Sequence, residues 1–252
     1  MIKRSDFTQL AKNYDSYRPD YSKNVLNQII KSLNYTIETI DFADIGAGTG
    51  IWTRMVNELN PKSIKAVEPN DSMRNFGKKY KNKIEWIKGT AESTGLNDIS
   101  LHWITMASSF HWADFDKAII EFNRILKNNG NLTLLWNPRI IEENSIFKDI
   151  EDYIIKLKPD MKRQSSGLSG ITSELENKIS ESNLFHKIKY IEGKHTILMS
   201  KERYIGAWES VNDVQYQLGE KFEDLIDFIK KSIKKNNLEI SYLTRSWTMT
   251  KK

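Results

Sequence analysis

Apolar and polar positions alternate along the first half of the chain in the rhythm of strands followed by helices. A helical pattern over residues 23–33 precedes an apolar run at residues 39–45, and the apolar positions within residues 51–59 again repeat at helical spacing. The rhythm continues to an apolar strand at residues 131–136, with Gly130 marking the turn before it. This alternation predicts an α/β fold, in which helices cover both faces of a parallel sheet.

The rhythm changes after Pro138. The patterns then predict helices at 146–157 and 173–182, strands at 185–191 and 195–199, helices at 201–211 and 220–235, and a last strand at 240–250. A Ser- and Gly-rich stretch at residues 165–170 separates the first two of these helices and is expected to be a flexible, protease-sensitive loop. We therefore predict one domain, residues 1–252, with a core at about 21–137 plus strands at 185–199 and 239–250, and a cap made of residues 1–20, 138–182 and 200–235.

A glycine-rich turn follows the first predicted strand, in residues 41–50. Gly46, Gly48 and Gly50 are spaced by single residues and lead into a helix, so a ligand can lie against bare backbone near the N–H groups of a helix N-terminus. A dinucleotide fingerprint needs its third glycine one position later, where this chain has Ile51. A phosphate-binding Gly-Lys-Ser/Thr is also absent from the sequence. The spacing thus points to a different ligand, unless the turn binds none.

Glu68 closes the second predicted strand, roughly 20 residues after the glycine turn. A carboxylate at this place can accept hydrogen bonds from both hydroxyls of a ribose. The alternative is a solvated charge at the end of a strand. Together with the glycine turn, Glu68 predicts a nucleoside-binding site at the carboxyl edge of the sheet.

Three motifs in order resemble those of class I S-adenosylmethionine-dependent methyltransferases: the glycine turn, the segment 67–73, and Gly-Thr-Ala-Glu at residues 89–92. The resemblance implies a Rossmann-like, doubly wound sheet of seven mostly parallel strands with an inserted helical cap, and S-adenosylmethionine as cofactor. The residues that it assigns to the cofactor are Asp44, Gly46, Ala47, Gly48, Glu68, Pro69, Met73, Thr90, Ala91, Glu92 and Ser108.

A second resemblance concerns the methyl acceptor. Phe110, His111 and Trp112 follow the fourth predicted strand, at the edge where open α/β sheets bind ligands. With the opening segment at residues 11–21, this triplet makes the chain similar to small-molecule methyltransferases of the trans-aconitate and ubiquinone-biosynthesis type. The chain departs from that family at His102, where an aspartate is usual.

The resemblance implies that the triplet and Trp208 contact the substrate, although Trp208 could equally be a core residue. It also implies that Tyr14 and Arg18 hold either the carboxylate of the cofactor or an anionic substrate. His111 is the candidate catalytic base, because an imidazole titrates near neutral pH; the alternative is a residue of the pocket wall.

Composition narrows the remaining choices. The chain has no cysteine, which excludes disulfides, zinc sites made of thiolates and a cysteine nucleophile. No apolar segment resembles a signal peptide or a membrane span, so we expect a cytoplasmic protein with no membrane partner. The net charge of +5 rests largely on Lys230, Lys231, Lys234, Lys235 and the last two residues. We read these as a solvated surface, which favours a small, anionic substrate over nucleic acid. The alternatives are an RNA or protein methyltransferase and a non-catalytic nucleotide-binding protein.

Overall fold

In the computed structural model, which describes residues 7–80, 83–163 and 170–252, one sheet runs through the protein. Its strands are β1 (Asp41–Ile45), β2 (Ser63–Val67), β3 (Glu85–Ile87), β4 (Leu101–Ala107), β5 (Leu126–Trp136), β6 (Phe185–Ser200) and β7 (Asn237–Lys251). These seven strands of the described residues lie in the order β3-β2-β1-β4-β5-β7-β6. Strands β1 to β5 are parallel, and β7 is antiparallel to both β5 and β6. The predicted seven-stranded, mostly parallel sheet is confirmed.

Two apolar layers cover the sheet because successive strand residues point to opposite faces. Phe42 and Trp103 pack with one layer, and Ala43 and Ile104 with the other. The helices of the described residues are α1 (Ala11–Tyr17), α2 (Lys23–Ser32), α3 (Ile51–Asn57), α4 (Asp71–Gly77), α5 (Phe115–Ile125), α6 (Ser145–Leu157), α7 (Gly170–Glu181), α8 (Lys201–Glu209), α9 (Asn212–Leu218) and α10 (Phe222–Ser232). Helices α2 and α3 contribute to the first layer, and α5 and α7 to the second.

A third apolar cluster lies in the predicted cap. It joins α6, α8, α9 and α10 to the ends of β6 and β7, with Met199, Ile240 and Tyr242 supplied by the strands. The cap helices therefore pack on an extension of the sheet. None of the helices in the described part of the chain is long and apolar enough to cross a membrane.

The structure differs from the predicted elements at β5, at β6 and at α9. Strand β5 already begins at Leu126, so Gly130 lies inside the strand, and a register shift against β4 absorbs the extra residues. Residues 185–200 form one strand, because Gly193 continues the pairing with β7; its missing side chain lets α2 approach, since a Cβ there would lie 2.7 Å from Val25 Cγ2. Helix α9 was not predicted. Of the predicted Ser- and Gly-rich loop at residues 165–170, residues 165–169 lie outside the described residues, and Gly170 begins α7 instead of ending the loop.

Candidate functional site

A cavity of about 750 Å³ opens at the carboxyl ends of the parallel strands. Its wall contains the residues that directly follow four strands: Gly46 after β1, Glu68 after β2, Ser108 after β4 and Asn137 after β5. The order β2-β1-β4 places the chain reversal of the sheet here, where α/β folds bind ligands. The volume lies in the range of small-molecule and cofactor sites.

The glycine turn forms one end of this cavity. Gly46, Gly48 and Gly50 have φ angles of 66°, 60° and 86°, which side chains with a Cβ rarely adopt. The N–H groups of Gly46 and Ala47 donate to the carbonyl of Val67 at 2.8 and 3.1 Å, which folds the turn over the end of β2. The sequence pattern therefore predicted the conformation of this turn correctly.

Glu68 lies beside the turn and is 7% exposed. Its Oε2 accepts from Gly48 N–H and its Oε1 from Asn70 N–H, both at 2.8 Å. Burial raises the pKa of the Glu68 carboxyl, although both backbone hydrogen bonds act in the opposite direction. Each oxygen keeps a further lone pair, so the carboxylate is held in place and can still accept from two hydroxyl groups.

The N-terminal segment from Phe7 to Arg18 covers the glycine turn and forms the roof of the cavity. Tyr14 Cε1 would lie 3.9 Å from a Cβ on Gly48, and the ring of Phe7 meets those of Tyr14 and Trp112 edge to face, each at 6.1 Å. Burial raises the pKa of the Tyr14 hydroxyl, so it stays protonated and can donate a hydrogen bond at neutral pH.

The third motif also reaches the cavity. The hydroxyl of Thr90 accepts from Ser93 N–H at 3.2 Å, and Glu92 Oε1 accepts from Asp114 N–H at 2.8 Å, which ties this loop to the start of α5. The structure brings most of the predicted site residues together in one wall. They are Tyr14, Arg18, Gly46, Ala47, Gly48, Glu68, Pro69, Met73, Thr90, Ala91, Glu92, Ser108, His111 and Trp112.

Three predicted site residues do not line the cavity. Asp44 is 1% exposed and accepts from the hydroxyls of Thr53 and Thr105 at 2.6 and 2.9 Å; burial raises the pKa of its carboxyl to about 7. Phe110, unlike His111 and Trp112, packs in the apolar layer that contains α5, where its ring lies against that of Phe122. Trp208 belongs to the cap cluster, where its indole is covered by other side chains.

His111 lies in the cavity wall and is less basic than an ordinary histidine. Burial lowers the pKa of its imidazole to about 4, and the field of Asp213 only partly opposes this. The imidazole is therefore neutral at neutral pH and is a weaker base there than an ordinary histidine. The indole Nε1 of Trp136 donates to His111 Nδ1 at 3.4 Å.

Two guanidinium groups stand near this end of the cavity. Arg18 lies in the wall and donates from Nε and Nη2 to the hydroxyl and carbonyl oxygens of Ser210, at 2.7 and 3.0 Å. Arg139 lies behind it, stacked over Trp208 with its Cζ 4.0 Å from the ring centre, and donates to Tyr204 Oη at 3.2 Å. Burial lowers the pKa of the Arg18 guanidinium, and the positive charge of Arg139 lowers it further.

Sequence reasoning missed several wall residues. Phe7, Asn137 and Asp213 were not singled out, and no motif marks them, because folding brings them from distant segments; Tyr21 was noted only as the end of the segment at residues 11–21. Tyr21 donates from its hydroxyl to Ser108 Oγ at 2.9 Å. In the described part of the chain, no three His, Cys, Asp or Glu side chains are placed to hold a metal ion.

Comparisons with known proteins agree with this arrangement. Residues 43–134 match the family model described as a methyltransferase domain. An uncharacterized methyltransferase of Schizosaccharomyces pombe is 26% identical over 241 residues, covering 92% of this chain and 90% of the relative. The ubiquinone/menaquinone biosynthesis C-methyltransferase of Campylobacter jejuni is 30% identical over 143 residues, covering 51% of this chain and 60% of the relative. Several further relatives match over only 49% of their own length.

A solved structure shares the fold over the whole chain. It is a Haemonchus contortus phosphoethanolamine N-methyltransferase in complex with phosphomonomethylethanolamine and S-adenosylhomocysteine, with a TM-score of 0.58. The match covers 100% of this chain and 60% of the other, at 14% sequence identity. At that identity the likeness concerns the fold alone.

Proposed function

We propose that this chain, which is a class I S-adenosylmethionine-dependent methyltransferase, transfers a methyl group to a small, anionic metabolite. S-Adenosylmethionine supplies a methyl group already activated by a sulfonium, so the protein has to align donor and acceptor and exclude water. The proposal therefore concerns two things: which residues hold the cofactor, and what the other end of the cavity accepts.

The residues present fit the cofactor. Glu68, fixed by two backbone N–H groups, would accept hydrogen bonds from the ribose hydroxyls. The open backbone of Gly48 leaves room, since a Cβ there would touch only Tyr14. Pro69 and Met73 would provide apolar surface for the adenine, and Thr90 with Ala91 would meet its edge.

The position of Arg18 in the cavity wall is the observation that supports an anionic methyl acceptor. Arg18 donates to the neutral oxygens of Ser210, and Arg139 donates to the hydroxyl of Tyr204. The carboxylate of Asp213 raises the pKa of Arg18, and the carboxylate of Glu151 raises that of Arg139. Burial lowers the pKa of the Arg18 guanidinium, so holding its charge there is costly, and a bound anion would relieve that cost.

The low pKa of His111 supports the same class of acceptor. An alcohol or a protonated amine would have to lose a proton during transfer, and a base with a pKa of about 4 removes protons poorly at neutral pH. A carboxylate or another ionised oxygen arrives without that proton, so the site would need no base. Alignment would then provide most of the catalysis.

The lysine-rich surface lies elsewhere. Lys230 and Lys231 are at the end of α10, and Lys230 pairs with Asp227 at 3.7 Å. None of the four lysines of this cluster lines the cavity. Nucleic acid methylation, the alternative, would require that surface and would weaken steeply with added salt.

A labelled methyl-transfer assay tests the proposal. The protein is incubated with methyl-labelled S-adenosylmethionine and cell extract that has been separated into RNA, protein, and small molecules sorted by anion exchange. We expect label in small molecules retained on the anion exchanger. Label in RNA, in protein, or only in unretained amines and neutral molecules would contradict the proposed substrate while leaving the methyltransferase assignment intact.

A further inference from the structure

Trp136 and His111 form a pair at the acceptor end of the cavity. Trp136 is the last residue of β5, is 1% exposed, and directs its indole N–H to His111 Nδ1 at 3.4 Å. The ring of Trp247 packs against Trp136 edge to face at 5.7 Å, which restrains the indole. An indole nitrogen can only donate a hydrogen bond, so the Nδ1 atom that receives it must be unprotonated.

The proton of the neutral imidazole must then sit on Nε2. This atom is buried and makes no hydrogen bond within the described residues, although the His111 ring forms part of the cavity wall. Trp112 packs against the ring, with centroids 4.7 Å apart. An unpartnered buried donor is unfavourable, and an acceptor atom on a ligand would satisfy it.

We infer that Trp136 holds His111 as the neutral Nε2–H tautomer, and that His111 donates this hydrogen bond to an oxygen of the methyl acceptor. This inference rests on the proposed function, because it assigns the acceptor to this end of the cavity. His111 contacts substrate in this account, and Trp136 is a positioning residue that acts through it. The acceptor class of the proposed function fits this donor, because an oxygen that is ionised before it binds can accept the hydrogen bond.

Electrostatics supports a ring that stays neutral across the useful pH range. Asp213 on α9 is the charged group that acts on His111, and it raises the pKa, yet burial dominates and brings the pKa to about 4. Between pH 5.5 and 9 the ring therefore carries no charge and remains a donor through Nε2. A hydrogen bond from a neutral donor orients an anionic oxygen without taking a proton from it or giving one to it.

The tautomer can be observed directly in the protein without substrate. Nitrogen-15 NMR of histidine-labelled protein distinguishes a protonated from an unprotonated ring nitrogen, and the His111 signal is assigned by its loss in His111→Gln. We expect one neutral species, with Nε2 protonated, from pH 5.5 to 9. In Trp136→Phe, which keeps an aromatic ring but lacks the N–H, we expect a mixture of tautomers.

Trp103→Phe is the matched control. Trp103 is an equally buried indole in β4, and its N–H donates to Thr133 at 2.9 Å, away from His111. This variant should keep the single tautomer of the wild type. A charged His111 at pH 6, an Nδ1–H tautomer in the wild type, or an unchanged signal in Trp136→Phe would each overturn the inference.

The kinetic test uses as acceptor the small-molecule fraction that becomes labelled in the methyl-transfer assay. Between pH 6 and 8.5 we expect the wild-type kcat/KM to show no ionisation of His111. We expect kcat/KM to fall about tenfold in His111→Gln. In Trp136→Phe it should fall severalfold, with the affinity for S-adenosylhomocysteine unchanged. An ionisation in the wild-type profile that disappears in His111→Gln would show that His111 acts as a base and would overturn the inference. The NMR result does not depend on the acceptor, so it separates failure of this inference from failure of the proposed function.

Discussion

Gly206 of α8 accommodates the ring of Tyr17 at the end of α1, almost 190 residues earlier in the chain. A Cβ on Gly206 would lie 2.2 Å from Tyr17 Cδ2, closer than any real side-chain contact. Two neighbouring groups reinforce this junction: Arg203 of α8 donates to the carbonyl of Tyr17 at 3.4 Å, and Ser210, directly after α8, accepts from Arg18 at 2.7 Å. The N-terminal roof of the cavity is thus fixed to the cap helix.

Gly206→Ala should loosen this junction. Helix propensity alone predicts that the change stabilises the protein by about 1 kcal/mol, whereas the steric overlap predicts destabilisation of about 1–3 kcal/mol. We expect the overlap to dominate, with a lower melting temperature and faster proteolysis within α1, because a Cβ on Gly206 would occupy the space of the Tyr17 ring.

A double-mutant cycle checks the cause of that loss. In the Tyr17→Ala background the overlap is absent, so Gly206→Ala should become neutral or stabilising. If Gly206→Ala destabilises equally in both backgrounds, the junction between α1 and α8 is not what the glycine serves.

Glu68→Ala should weaken binding of S-adenosylhomocysteine by roughly 1–3 kcal/mol, through loss of charge-assisted hydrogen bonds to the ribose. Isothermal titration calorimetry measures the change. Glu85→Ala is the matched control: Glu85 begins the neighbouring strand β3, is exposed, and pairs only with Lys65, at 3.3 Å, in the described residues. Equal affinity in Glu68→Ala and wild type would remove Glu68 from the ribose site.

Much of the cavity wall around the glycine turn could be predicted from the sequence because it is built from local features. The turn at Gly46 and Gly48 needs positive φ angles, which only a few residue types tolerate, and Glu68 follows the next strand along the chain. Parallel strands bring their carboxyl ends to one edge, so the order of motifs in the sequence becomes proximity in space.

The roof and the acceptor end could not be predicted in this way. The partner of Gly206 is distant in sequence, and a glycine inside a helical pattern says nothing about which ring will occupy its space. The basicity of His111 depends on how deeply the fold buries it, and Arg139 carries no motif at all. Gly193 has the signature of a strand break, yet in the structure it makes room for α2.

Asp44 predicts a pH dependence of stability. The pKa of its carboxyl is about 7 in the folded protein and roughly 3.9 when unfolded, so between these values the folded state holds a proton that the unfolded state has released. Its contribution to the free energy of unfolding is therefore complete in acid and is lost as the pH rises from about 4 to 7, by about 1–4 kcal/mol.

Asp44→Asn should remove this slope, as measured by urea unfolding at a series of pH values between 5 and 8. Asp71→Asn is the control, because Asp71 is exposed and Arg74 lowers the pKa of its carboxyl, so its titration lies below this range. Identical slopes in wild type and Asp44→Asn would show that Asp44 does not titrate near neutral pH.

Variants of Arg18 test whether its guanidinium contacts the methyl acceptor or the cofactor. If Arg18 meets the acceptor, Arg18→Met should raise the KM for the acceptor at least tenfold, about 1.4 kcal/mol or more, and Arg18→Lys should do so less, because it keeps the charge but loses the paired hydrogen bonds to Ser210. The affinity for S-adenosylhomocysteine should change little in both variants. A large loss of that affinity with an unchanged KM would instead assign Arg18 to the carboxylate of the cofactor.

Neutralising Lys230, Lys231, Lys234 and Lys235 together should leave turnover nearly intact, whereas a steep loss, with strong dependence on salt, would point to a nucleic acid acceptor.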